Sequence, residues 1–278
     1  MLNKILLFLI IYTSVYSQSR LTEYVNPFIG TSNGGNTYPG AVVPWGMVSV
    51  SPHNAPGSPS GYIHGQKYFY GFGYNHLSGT GCADLGSIIL TMADTNTTLN
   101  PETYKTTYSN ETAEPGYYSL FLDKFKMKAE VTSTARTGLT KFTFASVETI
   151  NIILDAGRSL NLVGGGSIKI ISNTEIEGSN ISGGFCGEDN RQTLYFSAKF
   201  NKPFLSAAIC IGDSIITGKE YSLKDSSIRC FLKYKMTPGE QLLVKVGISY
   251  TSEDNARKNL ETEIPGWDFG KVKNDADD

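Results

Sequence analysis

The stretch GYNHLSGTGCADLG, from Gly73 to Gly86, is the part of this sequence whose residue types most suggest chemistry. It combines four glycines with a histidine, a cysteine, an aspartate, a serine and a threonine. Glycine raises the entropic cost of regular structure, and so many polar side chains disfavour a core strand. The stretch, called the glycine loop below, is therefore predicted to be a shaped loop, and such loops often carry function.

The three histidines, His53, His64 and His76, all lie in the first third of the chain. Their spacing matches no metal-binding motif, so the sequence predicts no metal site in this chain. Scattered histidines in loops are most often structural or solvated. His76 is the exception, because the glycines around it would let a ligand approach its ring and the backbone of residues 82–84 closely.

Carboxylates are the side chains that would supply acid–base catalysis. The candidates are Asp84 in the glycine loop, Asp155 after a predicted strand, and the adjacent residues Glu188 and Asp189. Adjacent residues point to opposite faces of a strand and cannot form an opposed pair. Asp84 has the alternative role of accepting hydrogen bonds from the amides of its own loop. No catalytic residue is therefore assigned.

The four cysteines, Cys82, Cys186, Cys210 and Cys230, show no CxxC spacing, which gives no support to a zinc or thioredoxin-type site. They permit disulfides if the chain is exported, but their connectivity cannot be read from the sequence. Cys82 lies within the glycine loop, where it is alternatively a free thiol lining a pocket. A buried, inert cysteine is the commoner outcome at such a position.

The elements that position these residues are predicted to be strands, because the dominant hydrophobic period is two. Apolar residues alternate in FKMKAEVTSTA, TINIILDAG, TLYFSAKF, RCFLKYKM and LVKVGISY, with turn signals such as VGGG, NISGG and TPGE between strands. Many short strands without intervening helices predict an all-β fold, an antiparallel β-sandwich. At 278 residues the chain suffices for one large β domain or two small ones. Its formal net charge of -2 offers no surface for nucleic acid.

The N-terminus has the layout of a secretory signal peptide, predicted over residues 1–17. Lys4 precedes an apolar run that is too short to span a membrane, and small residues follow up to Ser17. No later segment is long and apolar enough to span a membrane. The protein is therefore predicted to be secreted or periplasmic.

The C-terminus departs from the alternating pattern. The sandwich is predicted over residues 18–252, and Ser252 could cap a following helix that Pro265 would interrupt. Residues 253–278 are thus a short helical tail. This tail is either a frayed terminus, which sequence statistics alone favour, or the start of a linker into a helical region.

Three blocks of sequence occur in a familiar order from about Tyr24 to Tyr250. They are YVNPFIGT…NTYPGAVVPWGMVSVSPHN, GFGYNHLSGTGCADLGSIIL and EPGYYSLFL…KAEVTSTARTGLTKFTF. SGTG alone would be a weak signal, but the combined set closely resembles the N-terminal domain of the glycoside hydrolase family 92 α-mannosidases. One departure is SNGGN in the first glycine turn, where many members of the family carry a histidine.

The resemblance implies an exported, calcium-dependent, exo-acting α-mannosidase that inverts the anomeric configuration. Members join an N-terminal β-sandwich, of the galactose mutarotase-like supersandwich type, to a larger helical (α/α) barrel domain, with the active site between them. The acid, the base and the calcium ligands lie mainly on the helical domain, which would begin where this chain ends. The resemblance therefore implies half of an enzyme, without a cofactor of its own and inactive by itself.

Four residues receive ligand-facing roles once this resemblance is taken into account. The glycine loop, with His76, Cys82 and Asp84, would form one wall of a pocket for mannose-containing glycans such as N-glycans. Trp45 would stack on the C–H face of a pyranose, and its alternative role is a core anchor beneath the loops.

Three functions remain open at this point. The first is the sugar-contacting domain of an α-mannosidase, the second is a free-standing carbohydrate-binding module without catalysis, and the third is a structural exported sandwich whose loops only pack. Sugar binding separates the third function from the other two. An adjoining reading frame that encodes a helical domain with paired carboxylates separates the first from the second.

Overall fold

The computed structural model describes residues 20–32, 34–94, 100–146, 148–212, 214–216, 220–224 and 228–278. Within these residues the chain forms 17 β-strands followed by two α-helices. The first strands are β1 (Ser51–His53), β2 (Tyr68–Phe69), β3 (Gly71–Gly73), β4 (Ile89–Asp94), β5 (Thr106–Glu114), β6 (Tyr117–Leu122), β7 (Met127–Ser133), β8 (Thr137–Phe144) and β9 (Glu148–Asp155). The others are β10 (Leu162–Ile170), β11 (Glu175–Gly183), β12 (Gln192–Phe200), β13 (Ser206–Ile211), β14 (Ser214–Ile216), β15 (Glu220–Lys224), β16 (Ile228–Met236) and β17 (Gln241–Ser249), and the helices are α1 (Glu253–Glu263) and α2 (Phe269–Asp277).

The strands form two sheets that enclose the main hydrophobic core. One sheet has seven strands in the order β1-β3-β4-β9-β16-β13-β14, and the other has ten in the order β15-β10-β11-β12-β17-β8-β7-β6-β5-β2. The strand pairs are antiparallel. Residues of both sheets, such as Ile152 of β9 and Phe196 of β12, share one fully buried cluster. The predicted all-β antiparallel sandwich is therefore confirmed.

The period-two alternation explains how each strand contributes to this core. In β16 the side chains of Leu232, Tyr234 and Met236 are buried, whereas Lys233 and Lys235 between them are exposed. The same alternation places Val244, Val246 and Ile248 of β17, and Leu194, Phe196 and Ala198 of β12, in the core cluster. The alternation of side chains along each pleated strand thus explains which residues form the core.

The C-terminal tail begins and is interrupted where local signals predict. The side chain of Ser252 caps α1 by accepting a hydrogen bond from the backbone N–H of Asn255 at 3.1 Å. The helix ends at Glu263, two residues before Pro265. Neither helix of the described chain is long and apolar enough to cross a membrane.

The tail packs tightly on the ten-stranded sheet. Phe269 and Val272 of α2 are buried against three sheet residues, Tyr117, Leu139 and Leu243. Glu263 at the end of α1 accepts a hydrogen bond from the backbone N–H of Arg136, in the turn between β7 and β8, at 2.8 Å. The expectation of a frayed terminus is therefore wrong, because apolar residues on the outer face of the sheet hold the tail in place.

Gly247 of β17 provides the space in which α1 lies. A Cβ atom at this position would lie 2.4 Å from the carbonyl oxygen of Ala256 and 2.7 Å from the Cβ atom of Leu260. We expect Gly247→Ala to lower the free energy of unfolding by about 1–3 kcal/mol, the usual cost of overpacking. Urea unfolding followed by circular dichroism measures it. Gly57→Ala is the control, because no atom lies within 4 Å of a Cβ there, and equal stability of the two variants would contradict the prediction.

Candidate functional site

The glycine loop connects β3 to β4 and is closed at its base. His76 and Leu85 form an isolated antiparallel bridge, and the N–H of Gly86 donates to the carbonyl of Asn75 at 2.8 Å. At the tip, the N–H of Gly79 donates to the carbonyl of Asn36 at 2.8 Å. The prediction of a shaped loop is confirmed by these contacts.

The four glycines of this loop have two different roles. A Cβ atom at Gly73 would lie 2.8 Å from Nε2 of His53, and one at Gly86 would lie 3.1 Å from Cε1 of the same ring. Gly73 therefore makes room for the buried His53, whereas a Cβ atom at Gly86 would first meet Leu160, at 2.4 Å from its Cγ atom. An ideal Cβ at Gly79 or Gly81 meets no atom within 4 Å. Only the two glycines of the tip therefore leave open backbone that a ligand can approach.

His53 and His76 form a buried pair beneath the loop. Their Nε2 atoms are 2.8 Å apart, and Nδ1 of His76 lies 2.9 Å from the carbonyl oxygen of Ser49. Because a carbonyl only accepts, Nδ1 of His76 carries a hydrogen, and in the neutral pair its Nε2 accepts the Nε2–H of His53. Both ring nitrogens of His76 are thus engaged inside the protein, and the residue is 8% exposed.

Burial keeps both rings of this pair neutral near pH 7. It lowers the pKa of His76 from 6.5 to about 4, while the hydrogen bond to Ser49 acts in the opposite direction. The pKa of His53 lies well below its usual value, first because of burial and then because of the charges of His76 and Arg158. His64, in contrast, is exposed.

A disulfide between Cys82 and Cys186 joins the glycine loop to the connection between β11 and β12, with 5.2 Å between the Cα atoms. The interpretation of Cys82 as a free or inert thiol is therefore wrong. Cys210 and Cys230 are free and buried. They lie on opposite faces of the seven-stranded sheet, because Cys230 belongs to the main core and Cys210 to a separate cluster with Ile153.

Asp84 holds the glycine loop from the inside and is 3% exposed. Its Oδ1 accepts from the N–H of Leu85 at 2.8 Å, and its Oδ2 accepts from Nδ2 of Asn190 at 3.2 Å. Asn161, which follows β9, donates from Nδ2 to the carbonyl of Ala83 at 2.7 Å. Asp84 therefore has the alternative role of accepting a hydrogen bond from an amide of its own loop. Asn161 and Asn190, which nothing in the sequence indicated, connect this loop to two others.

The other candidate carboxylates do not assemble into an acid–base pair. Asp155 ends β9, is 1% exposed, and accepts from the N–H of Gly157 at 2.9 Å. Burial raises its pKa against the lowering effect of two arginines. Glu188 and Asp189 are exposed neighbours. A general acid and a general base must reach one substrate, which a buried, engaged Asp155 cannot do.

Trp45 lies in a separate turn, VPWG, that pushes its side chain into solvent. The N–H of Gly46 donates to the carbonyl of Val43 at 3.0 Å, and Trp45 has φ 62°. With Pro44 before it, this is a type II turn whose third residue is usually glycine. Trp45 is 101% exposed, so its alternative role as a core anchor is wrong. Trp45 therefore bears about 1–2 kcal/mol of backbone strain without gaining burial.

Two clefts lie beside the glycine loop. The larger, of about 330 Å³, adjoins the tip through Asn36, and its lining includes Thr31, Ser58, Pro59, Tyr62 and Ile63. The smaller, of about 140 Å³, adjoins the disulfide, and its lining includes Leu162, Ser182, Glu188 and Arg191. The sequence indicated neither cleft, although it singled out Glu188, which lines the smaller one, and the SNGGN turn, which supplies Asn36 to the larger one.

A metal site is the remaining possibility for this region. Among the residues that the structure describes, no three His, Cys, Asp or Glu side chains come together as metal ligands. The calcium site that the resemblance implies for the complete family enzyme stays a prediction.

Two packed antiparallel sheets, with loops gathered around an open glycine loop, define a β-sandwich domain of the class found in glycoside hydrolases. Residues 24–249 match the model of the glycosyl hydrolase family 92 N-terminal domain. The chain therefore belongs to glycoside hydrolase family 92, and these residues are an N-terminal domain of that family.

Several known proteins are similar over most of this chain. An uncharacterized secreted glycosidase of Arthroderma benhamiae is 24% identical over an alignment 299 residues long, which covers 92% of this chain and 37% of that protein. The family GH92 α-mannosidase BT3965 of Bacteroides thetaiotaomicron is 29% identical with a TM-score of 0.84, over 93% of this chain and 37% of that one. The inverting mannosidase BT2199 of the same organism is 24% identical with a TM-score of 0.77, over 92% and 35%. This chain spans little more than a third of the length of these proteins.

Proposed function

We propose that this domain binds mannose-containing glycans and forms one wall of the sugar pocket of an exported α-mannosidase. The observation that carries the proposal is the open backbone of Gly79 and Gly81 beside a cleft of about 330 Å³. A concave site of this size, with apolar and polar groups together, suits a small ligand. Membership of the family and the likeness to the mannosidase BT3965 make mannose the sugar to test.

Some residues of this wall would contact the sugar, and others would hold the glycine loop in place. Trp45 would stack on a pyranose ring, and the backbone at the loop tip, next to Cys82, would donate and accept hydrogen bonds. His76 and Asp84 are proposed to shape the wall, because their polar atoms already bind Ser49, Leu85 and Asn190. Sugar contact with His76 would then involve only its ring edge.

A second, helical domain is proposed to supply the acid, the base and the calcium site of the working enzyme. Exposed apolar side chains on this domain support a contact with further protein, since Leu21, Tyr24 and Ile29 are 78%, 76% and 74% exposed. Met47 is also exposed, at 39%. Hydrolysis would then require both domains, whereas sugar contact would begin on this one.

Export is supported by a disulfide and by the name of a relative, in addition to the signal peptide that the sequence predicts. Residues 1–17, the predicted signal peptide, lie outside the described residues. The disulfide between Cys82 and Cys186 is typical of oxidising compartments, and the relative from Arthroderma benhamiae is named a secreted glycosidase. We therefore propose a secreted or periplasmic location.

Trp45→Ala is expected to weaken binding of an α-linked mannobiose about tenfold, which corresponds to about 1.4 kcal/mol and is typical of a lost aromatic contact. The chain has two tryptophans. Trp267→Phe therefore leaves Trp45 as the only indole, whose emission should change when sugar is added. Trp267 packs on Lys245, 4.1 Å from its ring, so Trp267→Phe is also the control that should keep its affinity.

Two results would count against these roles. Unchanged affinity in the Trp45→Ala variant, with no change of Trp45 emission in the Trp267→Phe protein, would remove Trp45 from the site. A chain that binds no mannoside at any concentration would favour the purely structural sandwich over both carbohydrate-binding alternatives.

A further inference from the structure

The His53–His76 pair occupies a space that the surrounding chain keeps free for it. A Cβ atom at Gly61, Gly73 or Gly86 would lie 3.0, 2.8 or 3.1 Å from an atom of the His53 ring. Gly61 and Gly86 also have positive φ, at 76° and 63°, where other residues are strained. Three positions without side chains therefore border one imidazole that is 2% exposed, and two of them, Gly61 and Gly86, also border the side chain of Leu160.

The pair can take up one proton without losing the bond between its rings, but not two. The neutral pair holds two protons, one on Nδ1 of His76 for the Ser49 carbonyl and one on Nε2 of His53 for the bond between the rings. One more proton can be placed on Nδ1 of His53 without breaking that bond. A further proton would put N–H groups on both Nε2 atoms, which face each other at 2.8 Å, so the rings would have to separate.

The neighbouring titratable groups do not compensate a second positive charge. Arg158, in the segment after β9, itself lowers the pKa of His53. The ring of Tyr38 lies 5.1 Å from that of His76, and burial raises the pKa of its hydroxyl, so it is neutral. Asp84, the acid of the same loop, directs its two carboxylate oxygens to the N–H of Leu85 and to Nδ2 of Asn190 and contributes to the pKa of neither ring.

We infer that the pair is an acid-sensitive latch on the glycine loop, in which His53 is a positioning residue that holds His76 and thereby closes the base of the loop. When both rings are fully protonated, the bridge between His76 and Leu85 and the bond from Gly86 to Asn75 are released. The inference rests on the proposed function only for one consequence, the loss of sugar binding when the latch opens.

The sign of the pH dependence follows from the positions of the two pKa values. The pKa of His76 is lowered to about 4 from 6.5 and that of His53 lies well below 6.5, in each case first because of burial. The open loop therefore takes up protons at a higher pH than the closed loop. The closed loop is fully held above pH 6.5 and loses stability as the pH falls towards 4.

The test uses the full chain labelled with ¹⁵N, because three histidines give only three imidazole spin systems. His64→Gln, at an exposed position, removes the third without touching the pair. At pH 7 we expect His76 as the Nδ1–H tautomer and His53 as the Nε2–H tautomer. The N–H of Leu160 donates to the carbonyl of Leu85 in the loop at 2.8 Å. Between pH 6 and about pH 3.5, the amides of Gly86 and Leu160 should lose about tenfold of their exchange protection relative to Leu232 in the core.

His53→Gln is the decisive variant, because glutamine places a donor near the same position and does not titrate. Its loop amides should lose less protection at about pH 3.5 than those of the parent, because only His76 still titrates. Other tautomers, rings that titrate near the 6.5 of free histidine, or equal loss of protection in both proteins would overturn the latch. The tautomers of the wild-type chain decide the question if the variant does not fold.

Mannobiose binding measured across the same pH range separates the latch from the proposed function. Binding that disappears with the loop protection supports the latch and its consequence. A loop that opens as expected in a chain that binds no mannoside at any pH supports the latch and contradicts the proposed function. A loop that stays protected while binding is lost contradicts the latch alone.

Discussion

The purified chain of 278 residues is expected to release no mannose from an α-linked mannobiose, with or without calcium ions. Inverting hydrolysis needs an acid and a base on opposite sides of the sugar, roughly 6.5–9.5 Å apart. Asp84 and Asp155 are buried and engaged, and Glu188 and Asp189 are sequence neighbours. We therefore expect weak binding without turnover, measured as mannose released over time.

Turnover is expected when a helical domain is supplied. A suitable test is a chimaera that joins this chain to the part of the mannosidase BT3965 that it does not match. In an active chimaera, His76→Ala or Asp84→Ala should lower kcat/KM about tenfold, because each releases the glycine loop from one of its supports. His64→Gln, which changes an exposed side chain, should leave kcat/KM unchanged.

Assays of mannoside hydrolysis and binding, made with the chain alone and with the chimaera, discriminate between the possible functions. Robust turnover by the chain alone would place the catalytic carboxylates within it, and Asp84, Asp155 and Glu188 would be the first to replace. A chimaera that folds and binds mannosides but never hydrolyses them would favour a free-standing carbohydrate-binding module.

The parts of this fold that could be predicted are those set by neighbouring residues in the sequence. Strand alternation needs only a period of two, so the core residues of β16 and β17 followed directly from the sequence. The start of α1 at Ser252 and its end before Pro265 are equally local. The packing of α2 was missed because it depends on Phe269 meeting Tyr117, which lies far away in the chain.

The sequence predicted the glycine loop of the candidate site but not the contacts that hold this loop in place. Four glycines look alike in the sequence, yet two of them make room for buried side chains and two leave the tip open. His53 lies 23 residues before its partner His76, and no local pattern relates them. Trp45 was ambiguous for another reason, since a large aromatic residue is normally buried and only the turn geometry exposes it.

Replacing both Cys82 and Cys186 by serine is expected to lower the free energy of unfolding by about 2–4 kcal/mol. The disulfide links residues separated by 104 positions, so its loss frees a long segment of the unfolded chain. Urea unfolding under non-reducing conditions gives the stability. Cys210→Ala is the control, because it removes a buried free thiol that lies in a different cluster from the glycine loop.

The same double variant should also separate the contribution of the disulfide to the site from its contribution to stability. Without it, the loop would be joined to its neighbours through the contacts of Asn190 with Asp84 and of Asn161 with Ala83. We expect the amide of Gly79, bonded to Asn36 at the tip, to lose more exchange protection than core amides, and mannobiose affinity to fall with it. Stability within about 0.5 kcal/mol of the parent and unchanged affinity would show that the wall does not need the disulfide.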